Sequence, residues 1–261
     1  MNNAMAIDSP LFRDYQLPSW GLDLAEDEIQ LWSASLDLPP ARVAALHELL
    51  DAEEQRRARR FVFEHSRRRF TVARGLLRQL LGAYTGVAPG RGRFRYGQKG
   101  KPLLAEAGIE FNISHSEELL LVGFCKAPLG VDVEYLREVS DAEAITQRFF
   151  SSNETLTLLR LDKPERPRAF LLGWTRKEAY IKATGRGLSF PLSQFEVTMH
   201  PHEPPRILSM DGDTVEAARW TLLHLEPAPG YVGAAAVAGR DWRVSAYRLG
   251  DGTTTGTVDP G

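Results

Sequence analysis

A single cysteine, Cys125, in 261 residues rules out an intrachain disulfide framework, and its place at the end of an apolar stretch beginning at Leu119 is that of a buried structural thiol. No apolar run approaches the length of a membrane span. The opening residues, Met-Asn-Asn-Ala-Met-Ala-Ile-Asp, lack a basic segment followed by an apolar one, so the expectation is a cytoplasmic protein with no membrane partner. Charge of one sign is missing too: 32 Lys and Arg against 34 Asp and Glu leave a formal net charge of -2, which argues against a global affinity for nucleic acid. What remains, 43% hydrophobic and 25% charged, is globular material for one large domain or two halves of roughly 110 residues.

Residues 1–27 carry prolines, acids and isolated aromatics without periodicity and are expected to form an arm, laid on the domain or partly disordered. Residues 29–36 alternate as a first strand until Pro39 and Pro40 break it. Helical spacing then runs from Ala41 to about Glu64 and from about Ser66 to Tyr84, the second stretch ending at Gly86. A Gly-rich turn at 97–102 and the segment Phe-Asn-Ile-Ser-His-Ser at 111–116 precede a strand over 119–124. Helix is expected again over 142–150, followed by strands at 206–210, 218–226, 231–239 and 242–249 and a loose tail over 250–261.

Nine arginines fall between Arg56 and Arg78. They are either the solvated face of two helices or a phosphate-binding wall that exploits the guanidinium fork.

The chemistry gathers in the last helix and one short strand. From about Arg168, Phe170, Leu171, Trp174 and Ile181 recur at helical spacing until Gly185 and Gly187 end the pattern. Trp174, Glu178 and Lys182 then share one stripe, either as an exposed Glu–Lys pair or as part of a site. Upstream, Gly130-Val-Asp-Val-Glu134 alternates so that Asp132 and Glu134 lie on one face, ~6.6 Å apart along a strand. With Glu178 they would make the all-oxygen donor set that Mg²⁺ prefers. Ser151 followed by Glu154 reads as a helix capping box.

These segments, together with Phe149-Phe-Ser-Ser-Asn-Glu154 and the Gly185-Arg-Gly-Leu188 that closes the helix, resemble the signature blocks of the Sfp-type (group II) 4′-phosphopantetheinyl transferases. The resemblance implies a Mg²⁺-dependent enzyme that moves the phosphopantetheine arm of coenzyme A to a serine of an apo acyl or peptidyl carrier protein, releasing 3′,5′-ADP. It implies Mg²⁺ on Asp132, Glu134 and Glu178, with Lys182 facing the leaving phosphate. Glu178, or in second place Glu154, would take the serine proton. Lys101 and Pro102 would contact the adenine end, with Ser114 and His115 beside them and His115 on the 3′-phosphate. Of two basic residues that commonly hold that phosphate, only Arg57 matches; Glu54 occupies the other position, which brings in Arg69. Val133 is aliphatic where the family also uses an acid, so water is expected there.

A weak internal repeat relates 60–86 to 148–185 and 122–135 to 232–247, each copy a helix pair followed by strands. Only the first copy carries the Asp-x-Glu and only the second carries Trp174 and Glu178. The expected fold is therefore α+β, a monomeric pseudodimer of two similar halves, 28–140 and 141–249, each with a small antiparallel sheet, and one site between them. A single-strand RNA binder, with the arginines on a polyanion, is the rival from another class. It would interleave exposed aromatics, whereas Phe61, Phe63 and Phe70 fall where a helix core wants them. A metal-dependent phosphohydrolase would share the carboxylates but has no use for the Gly-Lys-Pro and Ser-His segments.

Overall fold

The computed structural model describes residues 9–18, 21–91, 94–96, 102–104, 108–187 and 190–250, the segments 94–96 and 102–104 by backbone alone. In chain order the elements are β1 (Arg13–Tyr15), β2 (Glu28–Ser35), α1 (Pro40–His47), α2 (Ala52–Arg59), α3 (Glu64–Thr85), β3 (Phe94–Tyr96), β4 (Pro102–Leu104), β5 (Glu110–Ser116), β6 (Leu119–Cys125) and β7 (Leu129–Tyr135). They continue with α4 (Ala142–Phe149), α5 (Ser152–Arg160), α6 (Arg166–Thr184), β8 (Phe195–Val197), β9 (Ile207–Met210), α7 (Thr214–Ala217), β10 (Trp220–Leu225), β11 (Tyr231–Ala238) and β12 (Arg243–Leu249).

Local chemistry accounts for most boundaries. The stretch expected as one helix over 41–64 is two, because Asp51 caps α2: its side chain accepts the Glu53 and Glu54 amides, and Glu54 returns a bond to the Asp51 amide. The long helices α3 and α6 end on Gly86 and Gly185, whose φ values of 70° and 66° an L side chain rarely adopts. Ser151 and Glu154 form the expected capping box at the start of α5.

Two sheets pack face to face. The five-stranded sheet runs β1-β12-β2-β6-β5 and the three-stranded sheet β10-β11-β7. Alternation decides what each face meets. Trp32, Val122 and Phe124 turn outward to Leu46, Leu76, Leu77 and Leu80 of α1 and α3. Ile29, Leu31 and Leu121 turn inward to Val131, Val133, Ala235 and Val237 of the smaller sheet. The outer face of that sheet, through Ala234, Ala236 and Leu222, carries α6. The order is helices, sheet, sheet, helix.

Each sheet draws strands from both sides of residue 140. β7, which carries Asp132 and Glu134, leaves the sheet of its own half and pairs antiparallel with β11. β12 goes the other way and pairs parallel with β2, and β1, from the expected arm, pairs parallel with β12. The larger sheet is thus mixed rather than antiparallel, and each sheet contains strands from both halves. The exchange buries β2 between two neighbours, which suits its run of six buried residues.

Candidate active site

Helix α6 lies directly on β7. A Cβ built on Gly130 would collide with backbone atoms of Ala179 and Ala183, so only glycine lets strand and helix come this close. That contact puts Lys182 over Asp132: its Nζ donates to Asp132 Oδ1 at 2.6 Å and to Ser114 Oγ at 3.1 Å. Ser114 Oγ in turn donates to the same Asp132 oxygen at 2.9 Å, and Ser116 Oγ donates to Glu134 Oε2 at 2.8 Å.

Glu178 and Asp132 are both buried. Burial, reinforced by the Asp132 charge, pushes the Glu178 carboxyl up to about 7, and burial also raises Glu134. Asp132 Oδ2 and Glu178 Oε1 are buried without a hydrogen-bond partner. Buried carboxylate oxygens without partners, on residues near enough for the Asp132 charge to raise Glu178, are a costly arrangement unless something cationic satisfies them. Among the described residues no three His, Cys, Asp or Glu side chains are already drawn together as a metal cage, and the Lys182 ammonium is the cation in place. The donor set, hard carboxylate oxygens with two left open, suits Mg²⁺.

The other sequence-derived residues scatter more. His115 is exposed on the face of β5 opposite Ser114; partial desolvation, then the Lys182 and Arg69 cations, hold its imidazole below the usual value. Arg69 is not a free cation: Glu118 accepts from it at 2.6 Å and Glu117 at 3.1 Å. Arg57 lies over the Phe70 ring, 5.3 Å from its centroid, in a surface hollow with Arg56 and Arg60. Lys101 lies outside the described residues, and Pro102 opens β4.

One expectation is corrected. Glu154 does not reach toward the carboxylates: it is buried at 3% exposure, accepts from Lys177 Nζ and the Val197 amide through Oε1, and accepts from the Ser151 amide through Oε2. With both oxygens committed it is the capping-box and ion-pair residue, not a proton acceptor for a substrate. The arginine patch also divides. Arg74 and Arg78 are buried on Glu54, with Arg78 also on Asp51, which explains why an acid stands at position 54. Only the α2 end of the patch and the start of α3 face solvent, which removes two of the cations an RNA-binding face would use.

Residues 36–125 match the family model for the 4′-phosphopantetheinyl transferase N-terminal domain, and residues 128–238 match the 4′-phosphopantetheinyl transferase superfamily model. The chain is 42% identical over 228 residues to the 4′-phosphopantetheinyl transferase HetI of Nostoc sp., covering 85% of this chain and 92% of that protein. This chain belongs to the 4′-phosphopantetheinyl transferase superfamily. The transferase is also 33% identical over 152 residues to Sfp of Bacillus subtilis, covering 58% of this chain and 67% of Sfp, and 34% identical over 156 residues to ffp of Bacillus subtilis, covering 59% and 69%. The two family matches meet at β6 and β7, between 125 and 128, where the transferase chain crosses from the larger sheet to the smaller.

Sequence reasoning passed over Gly130 as a packing residue and Ser116 as a partner of Glu134. The second had a visible signal: Asn112, Ser114 and Ser116 alternate, and three small polar residues on one face of a strand beside a buried sheet need partners.

Proposed function

We propose that this enzyme moves the 4′-phosphopantetheine arm of coenzyme A onto a serine of an apo carrier protein, at a site where β5 and β7 meet α6. The observation that carries this reading is the Gly130 contact, which seats α6 on β7 and Lys182 on Asp132 and leaves Asp132 Oδ2 and Glu178 Oε1 without hydrogen-bond partners.

In this reading the serine oxygen attacks the pantetheine-side phosphorus of the pyrophosphate. The new P–O bond replaces the one to the adenosine-side phosphate, which leaves with the electron pair as 3′,5′-ADP. Glu178, one turn from Lys182 on α6 and with Oε1 uncommitted, takes the serine proton. Lys182 moves from Asp132 to meet the charge developing on the departing phosphate. Bound at Asp132, Glu134 and Glu178, Mg²⁺ would supply Lewis-acid neutralisation of the pyrophosphate. His115, Arg57 and Arg69 are assigned to the 3′-phosphate, Arg69 after exchange from its glutamates; Lys101, Pro102 and Ser114 are assigned to the rest of coenzyme A.

Functionally, the arm 1–27 and tail 250–261 flank two units: 28–140 supplies the coenzyme A contacts and the Asp-x-Glu, and 141–249 supplies Glu178 and Lys182. Since one chain supplies both, it acts as a monomeric pseudodimer with the site between its halves, in the cytoplasm and without nucleic acid or membrane. Among the described residues no helix is long and apolar enough to cross a bilayer.

The test is incubation with coenzyme A, Mg²⁺ and a panel of apo acyl and peptidyl carrier proteins, read by intact mass. At least one carrier is expected to gain about 340 Da, the mass of the transferred arm. No gain on any carrier would overturn the reading.

A further inference from the structure

β5 and β7 lie side by side at the edges of different sheets. β5 pairs with β6, β7 pairs with β11, and no backbone ladder joins the two among the described residues. What joins them is a row of side chains. The Val131 amide donates to Asn112 Oδ1 at 2.9 Å. Two residues on, Ser114 Oγ donates to Asp132 Oδ1; two further on, Ser116 Oγ donates to Glu134 Oε2 and accepts the Tyr135 amide at 3.1 Å. The offset between partners stays at 18 or 19 residues throughout, the mark of two strands held in one register.

The chemistry of a hydroxyl gives this row a direction. Ser116 has one proton and two lone pairs, and the Tyr135 N–H can only donate, so it fills a lone pair. The single Ser116 proton therefore points to Glu134, an orientation that the backbone enforces. Ser114 is set the same way: Lys182 Nζ fills a lone pair and the proton goes to Asp132. Each serine thereby holds one oxygen of one carboxylate, and at Asp132 the other oxygen, Oδ2, is left open.

We propose that Ser116, with Asn112 anchoring the far end of the row, is a positioning residue that sets the Glu134 carboxylate for a divalent cation. This rests on the reading of Asp132, Glu134 and Glu178 as the cation site. Removing the hydroxyl frees the Glu134 side chain to turn and leaves the Tyr135 amide at the sheet edge without its acceptor. Partners of this outer kind are worth about 10- to 100-fold in metal affinity.

The experiment compares the parent with Ser116→Ala and Ser116→Thr, the latter keeping the hydroxyl. Mn²⁺ uptake is followed by the loss of the free-ion paramagnetic resonance signal, without coenzyme A, and exchange of the Tyr135 amide is followed in metal-free protein. Ser116→Ala is expected to bind Mn²⁺ about 10-fold more weakly and to exchange Tyr135 faster, with KM for coenzyme A at saturating metal within twofold of the parent. Ser116→Thr should restore both readouts. Ser116→Ala binding Mn²⁺ as tightly as the parent would overturn the positioning role and leave the cation site standing. A parent that takes up no Mn²⁺, while Ser116→Ala still exchanges Tyr135 faster, would overturn the cation reading and the positioning role with it.

Discussion

The Cβ that Gly130 lacks would stand 2.0 Å from the carbonyl oxygen of Ala179 and 2.3 Å from the amide nitrogen of Ala183. Both obstructing atoms are helix backbone, which cannot swing aside as a side chain would. Gly130→Ala should therefore push α6 off β7 and separate Glu178 and Lys182 from Asp132. Overpacking a core ordinarily costs about 1–3 kcal/mol, and with backbone as the obstacle the loss should reach the top of that range or beyond. Urea unfolding gives the stability, and transfer assays on the folded fraction should show activity lost as well.

Lys182 and the 3′-phosphate residues should separate kinetically. Lys182 is proposed to meet charge that appears during bond breaking, so Lys182→Ala should lower kcat by ~10²-fold or more with a smaller change in KM. Arg57→Ala and His115→Ala should chiefly raise KM for coenzyme A. With dephospho-coenzyme A, which lacks the 3′-phosphate, the second pair should match the parent while Lys182→Ala stays impaired. Equal losses against both donors would remove Arg57 and His115 from the phosphate site.

Glu154 predicts a folding defect rather than a chemical one. Its partner Lys177 is 0% exposed and also donates to the Leu192 and Phe195 carbonyls, so Glu154→Ala leaves a buried ammonium without its counter-charge. Breaking such a pair costs about 3–5 kcal/mol. Denaturant midpoints should fall accordingly, with kcat per folded molecule changed far less than in Glu178→Ala.

His224 sets an acid limit on stability. Burial, then the nearby Arg176 and Arg168 cations, hold its imidazole below the usual 6.5, opposed by Glu226, whose Oε1 lies 3.3 Å from Nε2. A depressed pKa means that the unfolded chain binds the proton first as pH falls below 6.5, so stability drops through that window and is fully present above it. Thermal midpoints between pH 5 and 7 should fall less steeply for His224→Gln than for the parent. Parallel curves would show that His224 ionises alike in both states.

Much of this was legible in local pattern. Periodicity located α3 and α6, the glycines at 86 and 185 ended them, and Ser151 with Glu154 announced the α5 cap. Alternation placed Asp132 and Glu134 on one face, and i,i+4 spacing placed Glu178 and Lys182 on one stripe. The Asp51-x-x-Glu54 cap was equally visible in principle, but helical spacing on either side of it outweighed the break.

What the chain by itself determined was which residues could share a face, because side-chain direction follows from backbone period alone. It also placed the carboxylates and the lysine in a recognisable family order. Which sheet each strand joins was decided only in three dimensions: β7 and β12 trade sheets because the inner faces of both must be covered, a condition set by the whole core and not by either strand. The same holds for the fates of Glu54, Arg74 and Arg78, and for Lys182 lying on Asp132. Charge and spacing name the groups, but only packing decides which of them lose water and must find each other.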